Sequence, residues 1–117
     1  MVAKFFNDWD VEYPLQEMAR DFEIDIEILN SINILVASYT YEHYNGSAFV
    51  LFEQDGVLYE VNGSHCSCYG LEDQWEPEEV NLDELEQRFS RKDSYYYEPW
   101  YNEVLEVIKE VRELLGK

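Results

Sequence analysis

His65, Cys66 and Cys68 stand together in the run GSHCSCYG, and His43 is the one other histidine in the chain. These are zinc-type ligands, and a structural zinc site takes four nitrogen or sulfur donors. His43, His65, Cys66 and Cys68 would supply that number. The spacing opposes it, because neighbouring His65 and Cys66 point in different directions and the usual C-x2-C chelate is missing. The expectation is no metal and no other cofactor, with small thiols filling a tight loop between Gly63 and Gly70. Cys66 could instead act as a nucleophile, with His43 or His65 as base and Glu60 or Asn62 orienting that base. A strongly acidic setting opposes thiolate formation. A metal- or thiol-dependent enzyme centred on Cys66 is therefore the alternative, and the primary reading is a protein without enzymatic activity.

The acidity is the second candidate. The 117 residues carry 26 Asp and Glu against 8 Lys and Arg, a formal net charge of −18. From Asp21 to Gln87 no Lys or Arg occurs, while the same stretch holds 16 carboxylates. Self-repulsion on this scale costs stability. Double-stranded DNA carries one negative charge per roughly 1.7 Å of axis. Carboxylates held rigidly on strands and helices can therefore occupy the basic groove of a nucleic-acid-binding protein. The candidate partner-binding charges are Glu53, Asp55, Glu60, Glu72, Asp73, Glu76, Glu78, Glu79, Asp83 and Glu86, with Glu42 and Glu84 beside them. The same charge disfavours direct binding to nucleic acid or to anionic membranes.

Tyrosine is the third. Ten residues are Tyr, and Tyr95, Tyr96 and Tyr97 fall close to Trp100 and Tyr101. Tyr and Trp combine a large rigid surface with a polar tip, which suits interfaces. Three consecutive tyrosines cannot all point inward, so Tyr95, Tyr96, Tyr97 and Trp100 are the aromatic partner-binding candidates.

A length of 117 residues suits a single domain. A 46% hydrophobic fraction with 16% aromatics supports a real core. No apolar run reaches the roughly 20 residues that span a bilayer. The start, MVAKFFNDWD, does not read as a signal peptide. Two cysteines do not make a disulfide framework, so the expected setting is the cytoplasm.

The elements that must position these side chains follow from periodicity and turn chemistry. Residues 1–32 form a lead-in anchored by Phe5, Phe6, Trp9 and Tyr13. Pro14 opens a short helix with Leu15, Met18, Ala19 and Phe22 on one face. Ile24, Ile26 and Ile28 alternate with Asp25 and Glu27, which predicts a strand or extended segment. Residues 33–62 read as a meander: a strand over 33–42, a turn at Tyr44-Asn45-Gly46-Ser47, a strand over 48–54, a two-residue turn at Asp55-Gly56, and a strand over 57–62. Residues 63–80 are the GSHCSC loop and an acidic turn. Asn81 caps a helix over 82–89. Residues 99–116 predict a long final helix, in which Tyr101, Val104, Ile108, Val111 and Leu115 make a seam. Self-association through that seam, as a homodimer, is one reading of it. The fold class expected is α+β: a three- or four-stranded antiparallel meander with helices packed on one face.

Residues 46–79 carry a resemblance. Gly46-Ser47-Ala48, Asp55-Gly56, Leu58-Tyr59-Glu60-Val61, the run from Gly63 to Cys68, and Gln74-Trp75-Glu76-Pro77 together resemble a segment of small uncharacterised proteins of tailed bacteriophages. The likeness spans about a third of the chain. It implies a phage-like origin and a host cytoplasm, and it brings no activity with it. In that setting the acidic surface reads as an inhibitor of a basic host protein, one that binds nucleic acid for defence. The inhibitor would act by stoichiometric occlusion as a nucleic-acid mimic. A structural or accessory phage protein assembling through its last helix is the alternative.

Overall fold

A computed structural model of the protein describes residues 3–42, 45–65, 70–90 and 101–115. It is an α+β protein built on a five-stranded mixed sheet. The strands are β1 (Lys4–Asn7), β2 (Asn33–Glu42), β3 (Asn45–Gln54), β4 (Val57–His65) and β5 (Glu78–Glu79), in that spatial order. The helices are α1 (Pro14–Phe22), α2 (Ile26–Asn30), α3 (Leu82–Phe89) and α4 (Tyr101–Leu115). The chain divides into two units, residues 1–79 and 80–117.

The first unit holds the whole sheet. β2, β3 and β4 pair antiparallel in sequence order, as short connections require. The sheet is nonetheless larger than a three-stranded meander. β1 adds at one edge, parallel to β2, with Phe5 opposite Ala37. Residues 8–32, including α1 and α2, supply the long crossover that a parallel pair needs. β5 adds two residues at the other edge, with Glu79 opposite Tyr59.

The two expected turns fare differently. Asp55 and Gly56 have φ of 55° and 80°, and Gln54 pairs with Val57 across them, so this is the expected two-residue hairpin. Asn45 and Gly46, by contrast, are paired strand residues opposite Glu42 and Tyr41. The register that sets Ala37 opposite Val50 and Tyr39 opposite Ala48 carries the ladder past the Asn-Gly dipeptide. β4 likewise continues through Gly63, Ser64 and His65, so half of the expected GSHCSC loop is strand.

The segment Ile26–Asn30 is helical, not extended. The Asp25 side chain accepts from the Glu27 N–H at 3.0 Å and caps it. Ile26 and Leu29 lie at helical spacing, and Leu29 is fully buried. The alternating isoleucines matched a strand period, and the cap and Leu29 overrode it. α1 begins at Pro14 as expected. It ends where Glu23 turns left-handed, at φ 55°, and the Ile24 N–H reaches back to the Ala19 carbonyl.

Trp9, Met18, Ala19, Phe22 and Leu29 join one face of the sheet, Ala37, Tyr39, Ala48, Val50, Phe52 and Val61, in a single core cluster. Aromatic rings run through it in contact. Trp9 meets Phe22 and Tyr39, Phe22 meets Trp75 edge-on at 5.2 Å, and Phe52 stacks between Trp75 and Tyr59. Trp9 is fully buried, and its Nε1–H donates to Asp21 at 2.9 Å. On the opposite face of β2 and β3, Val36, Ser38, Phe49 and Leu51 are buried too. The expectation of a single covered face is thus corrected. The unbroken apolar runs Ile34–Ala37 and Ala48–Phe52 are the signature of strands buried on both sides.

In the second unit Asn81 accepts from the Glu84 N–H at 2.7 Å and opens α3. Leu82, Leu85 and Phe89 form its buried stripe, and Phe89 meets Tyr101 of α4 edge-on at 4.8 Å. α4 is described over fifteen residues, Tyr101–Leu115, and residues 99, 100 and 116 of the expected helix lie outside the described residues. Val104, Val107, Ile108 and Val111 are buried.

Candidate functional site

The ten acidic candidates fall into distinct settings. Glu60 is only 6% exposed, so it is not part of an open acidic surface. It lies on β4, an interior strand, where Leu58 on the same face is buried as well. The Asn62 amide donates to its Oε1. A buried carboxylate must find such donors, because losing water otherwise costs several kcal/mol on the order of what unpaired polar groups lose. Glu72 is half-buried, and its two oxygens accept from the Gly70 N–H at 3.2 and 3.0 Å. That carboxylate closes a chain turn.

Asp83 and Glu86 sit one turn apart on α3 and share a cation. Arg112 of α4 donates to Asp83 at 2.6 Å and to Glu86 at 2.8 Å. The hydrogen bond to Asp83 raises the guanidinium pKa above its ordinary value; desolvation opposes the rise, and the hydrogen bond to Glu86 and the charges of both carboxylates add to it. Glu53 is half-buried beside the β3–β4 hairpin, where it accepts from the Gly56 N–H at 3.3 Å and from the Asn33 amide at 3.4 Å.

Asp83 and Glu86 are exposed despite their pairing with Arg112, and five further candidates are exposed carboxylates: Asp55, Asp73, Glu76, Glu78 and Glu79. Their positions are ordered along one border of the sheet. Asp55 stands at the β3–β4 hairpin tip, Glu79 opposite Tyr59 and Glu78 opposite Glu60. Three strand steps separate Val57, where β4 begins, from Glu60, about 10 Å at the ordinary strand rise, and Asp55 stands just beyond that end. Glu76 precedes β5 by two residues, and Asp73, held at φ 64°, lies in the turn before it.

What anchors this border is a side chain that sequence reasoning did not single out. Gln74 spans the gap between the end of β4 and the following turn. Its Oε1 accepts from the Ser64 N–H at 2.7 Å, and its Nε2 donates to the Ser64 and Gly70 carbonyls, each at 2.7 Å. One amide thereby acts as a strand partner for Ser64. Gly63 makes room for it, since a Cβ there would meet Leu71 Cδ2 at 3.0 Å and Gln74 Oε1 at 3.3 Å. Trp75, the next residue, packs on Phe22 and Phe52. The Gly63-Ser64 and Gln74-Trp75 elements are therefore partners in the fold. The signal was their joint presence in one segment.

His43, Cys66 and Cys68 lie outside the described residues, as do Tyr95, Tyr96, Tyr97 and Trp100. His65 is described as the last residue of β4. Among the described residues, no group of three His, Cys, Asp or Glu could hold a metal ion. No helix among them is long and apolar enough to cross a membrane.

Charge divides unevenly between the two units. Residues 1–79 hold 17 carboxylates and two cations, Lys4 and Arg20, for a net of −15. Residues 80–117 hold nine carboxylates and six cations, for a net of −3. Comparison with protein-family models, with curated proteins and with solved structures finds no match in any of the three.

Proposed function

We propose that the protein is an acidic binding protein of phage type that occludes the basic surface of a nucleic-acid-binding host protein, with no catalytic step. The observation that carries this reading is the ordered border of exposed carboxylates from Asp55 through Glu79 and Glu78 to Glu76. Asp55, Glu79 and Glu78 stand along roughly 10–13 Å of strand, two intervals averaging about 6 Å, within a factor of two of the 3.4 Å axial spacing of phosphates on one DNA strand. They stand on hydrogen-bonded backbone, so little ordering entropy is lost when a partner meets them. The net of −15 on residues 1–79 adds long-range attraction, which speeds encounter with a cationic surface. The alternative of assembly through the last helix has less support, because Val104, Ile108 and Val111 of its seam are buried within the chain.

The test is capture of partners from bacterial lysate on the tagged protein, eluted with rising salt. The expected result is recovery of a nucleic-acid-binding protein that leaves between roughly 0.2 and 0.5 M salt, where surface charges are screened. Nucleic acid added in competition should release the same protein. The variant with Glu76, Glu78 and Glu79 all changed to Gln should retain less of it. A complex equally stable at low and high salt, or no nucleic-acid-binding protein recovered, would overturn the reading.

A further inference from the structure

At the opposite border of the sheet from the carboxylate row, the first unit contains an open groove of about 540 Å³. Phe5 of β1, Tyr13 and Leu15 at the start of α1, Ile26 and Leu29 of α2, and Ile34 of β2 line it. Cavities of roughly 300–1,000 Å³ with mainly apolar walls are the usual size for a bound ligand. The groove's mouth is open to solvent, and Tyr13 in its lining is 61% exposed.

The charge around the groove selects its occupant. Residues 3–34, from the first lining residue to the last, carry eight carboxylates and two cations, Lys4 and Arg20. Arg20 is already engaged by Glu17 and Asp21. Glu12 lines the groove itself, and Asp10, Asp25 and Glu27 are exposed nearby in sequence. An acidic apolar segment would enter against this field, and a neutral one would gain nothing from it. A cationic one would be drawn by it, and the exposed Tyr13 ring next to Glu12 offers a face for an ammonium or guanidinium group.

We infer that the groove between β1, α1 and α2 is a docking site for a basic peptide segment, which seats apolar side chains against Phe5, Leu15 and Leu29 and sets its cations against Glu12 and Tyr13. The inference rests on the reading of the protein as a binder of basic partners and adds a second, apolar point of attachment. Charge supplies the encounter, and the groove supplies residence time, since apolar anchors carry most of the energy of an interface.

The experiment is a titration of the full chain at low salt, followed through backbone amide shifts, with an alternating lysine–leucine peptide and with a lysine–alanine peptide of equal charge. The expected result is binding of the leucine peptide about tenfold tighter or more, the effect of burying one or two leucines. The shifts should centre on Phe5, Leu15, Leu29 and Ile34. Tyr13→Ala, at an exposed position, should weaken the leucine peptide severalfold and leave the thermal midpoint unchanged. Ala3→Trp, which fills the groove, should abolish the preference for leucine.

Equal affinity for the two peptides, or shifts confined to Asp55 and Glu76–Glu79, would overturn the groove as a docking site and leave charge-based occlusion standing. Octanol binding as tightly as the leucine peptide would overturn the cationic occupant. Failure of both peptides to bind at low salt would overturn the groove and the occlusion reading together.

Discussion

Replacing Gln74 by Glu changes one atom type and should unfasten a corner of the sheet. In the protein the amide accepts once, from the Ser64 N–H, and donates twice, to the Ser64 and Gly70 carbonyls. A carboxylate keeps the single acceptance and sets negative oxygens against two carbonyl oxygens. Each net hydrogen bond contributes about 0.5–1.5 kcal/mol, and water reaches the Ser64 side, so Gln74→Ala should cost about 2 kcal/mol. Gln74→Glu should cost at least as much at neutral pH. Facing carbonyls disfavour the ionised form, so the new carboxyl should titrate above the ordinary value near 4.3. An acid raised in the folded state binds its proton more tightly there than in the unfolded chain. The penalty is therefore fully present above the raised folded value and fades as pH falls toward about 4, where the protonated acid can donate once. The assay is urea unfolding followed by tryptophan fluorescence, in which Trp75 reports on its own neighbourhood, with the wild type measured at each pH. A loss below about 0.5 kcal/mol for Gln74→Ala would refute the clamp. A Gln74→Glu penalty equal at pH 7 and pH 4 would refute the donor argument.

Two further substitutions probe the same unit. Trp9→Ala removes a fully buried ring in contact with Phe22 and Tyr39 and strands Asp21 without its indole donor, so it should cost about 3–5 kcal/mol in urea unfolding. Gly63→Ala places a methyl 3.0 Å from Leu71 Cδ2 and should cost about 1–3 kcal/mol by the same measurement, because the clash presses on the Gln74 contact.

Local chemistry was legible and long-range partnership was not. Pro14, the Asp55-Gly56 pair and the Asn81 cap each act within a few residues, and each marks the element boundary that the sequence suggests. β1 is four residues long and depends on β2, across 25 intervening residues, so nothing local marks it as a parallel strand. Asn45-Gly46 shows the reverse: a strong turn signal yields to a register set by the packing of Ala37, Tyr39, Ala48 and Val50. The candidate site was legible as composition alone. Counting carboxylates did not separate Asp55 and Glu78, exposed at the sheet border, from Glu60 and Glu72, which serve an amide and a turn, or from Asp83 and Glu86, exposed as well but sharing an arginine. That distinction depends on which backbone N–H or side chain lies opposite, and spacing does not encode it.

The two-residue strand β5 has a consequence for how the molecule behaves in a crowd. A sheet ends in a row of unpaired N–H and C=O groups, and such a row is a template on which a second molecule can add a strand. Here the outermost strand is only Glu78 and Glu79, and both side chains are charged and exposed. Two copies approaching border to border would bring carboxylates together before any backbone bond could form, and like charges directly opposite each other disfavour pairing. The border is thus closed to growth by further copies of the same chain, while it stays open to any surface that brings positive charge.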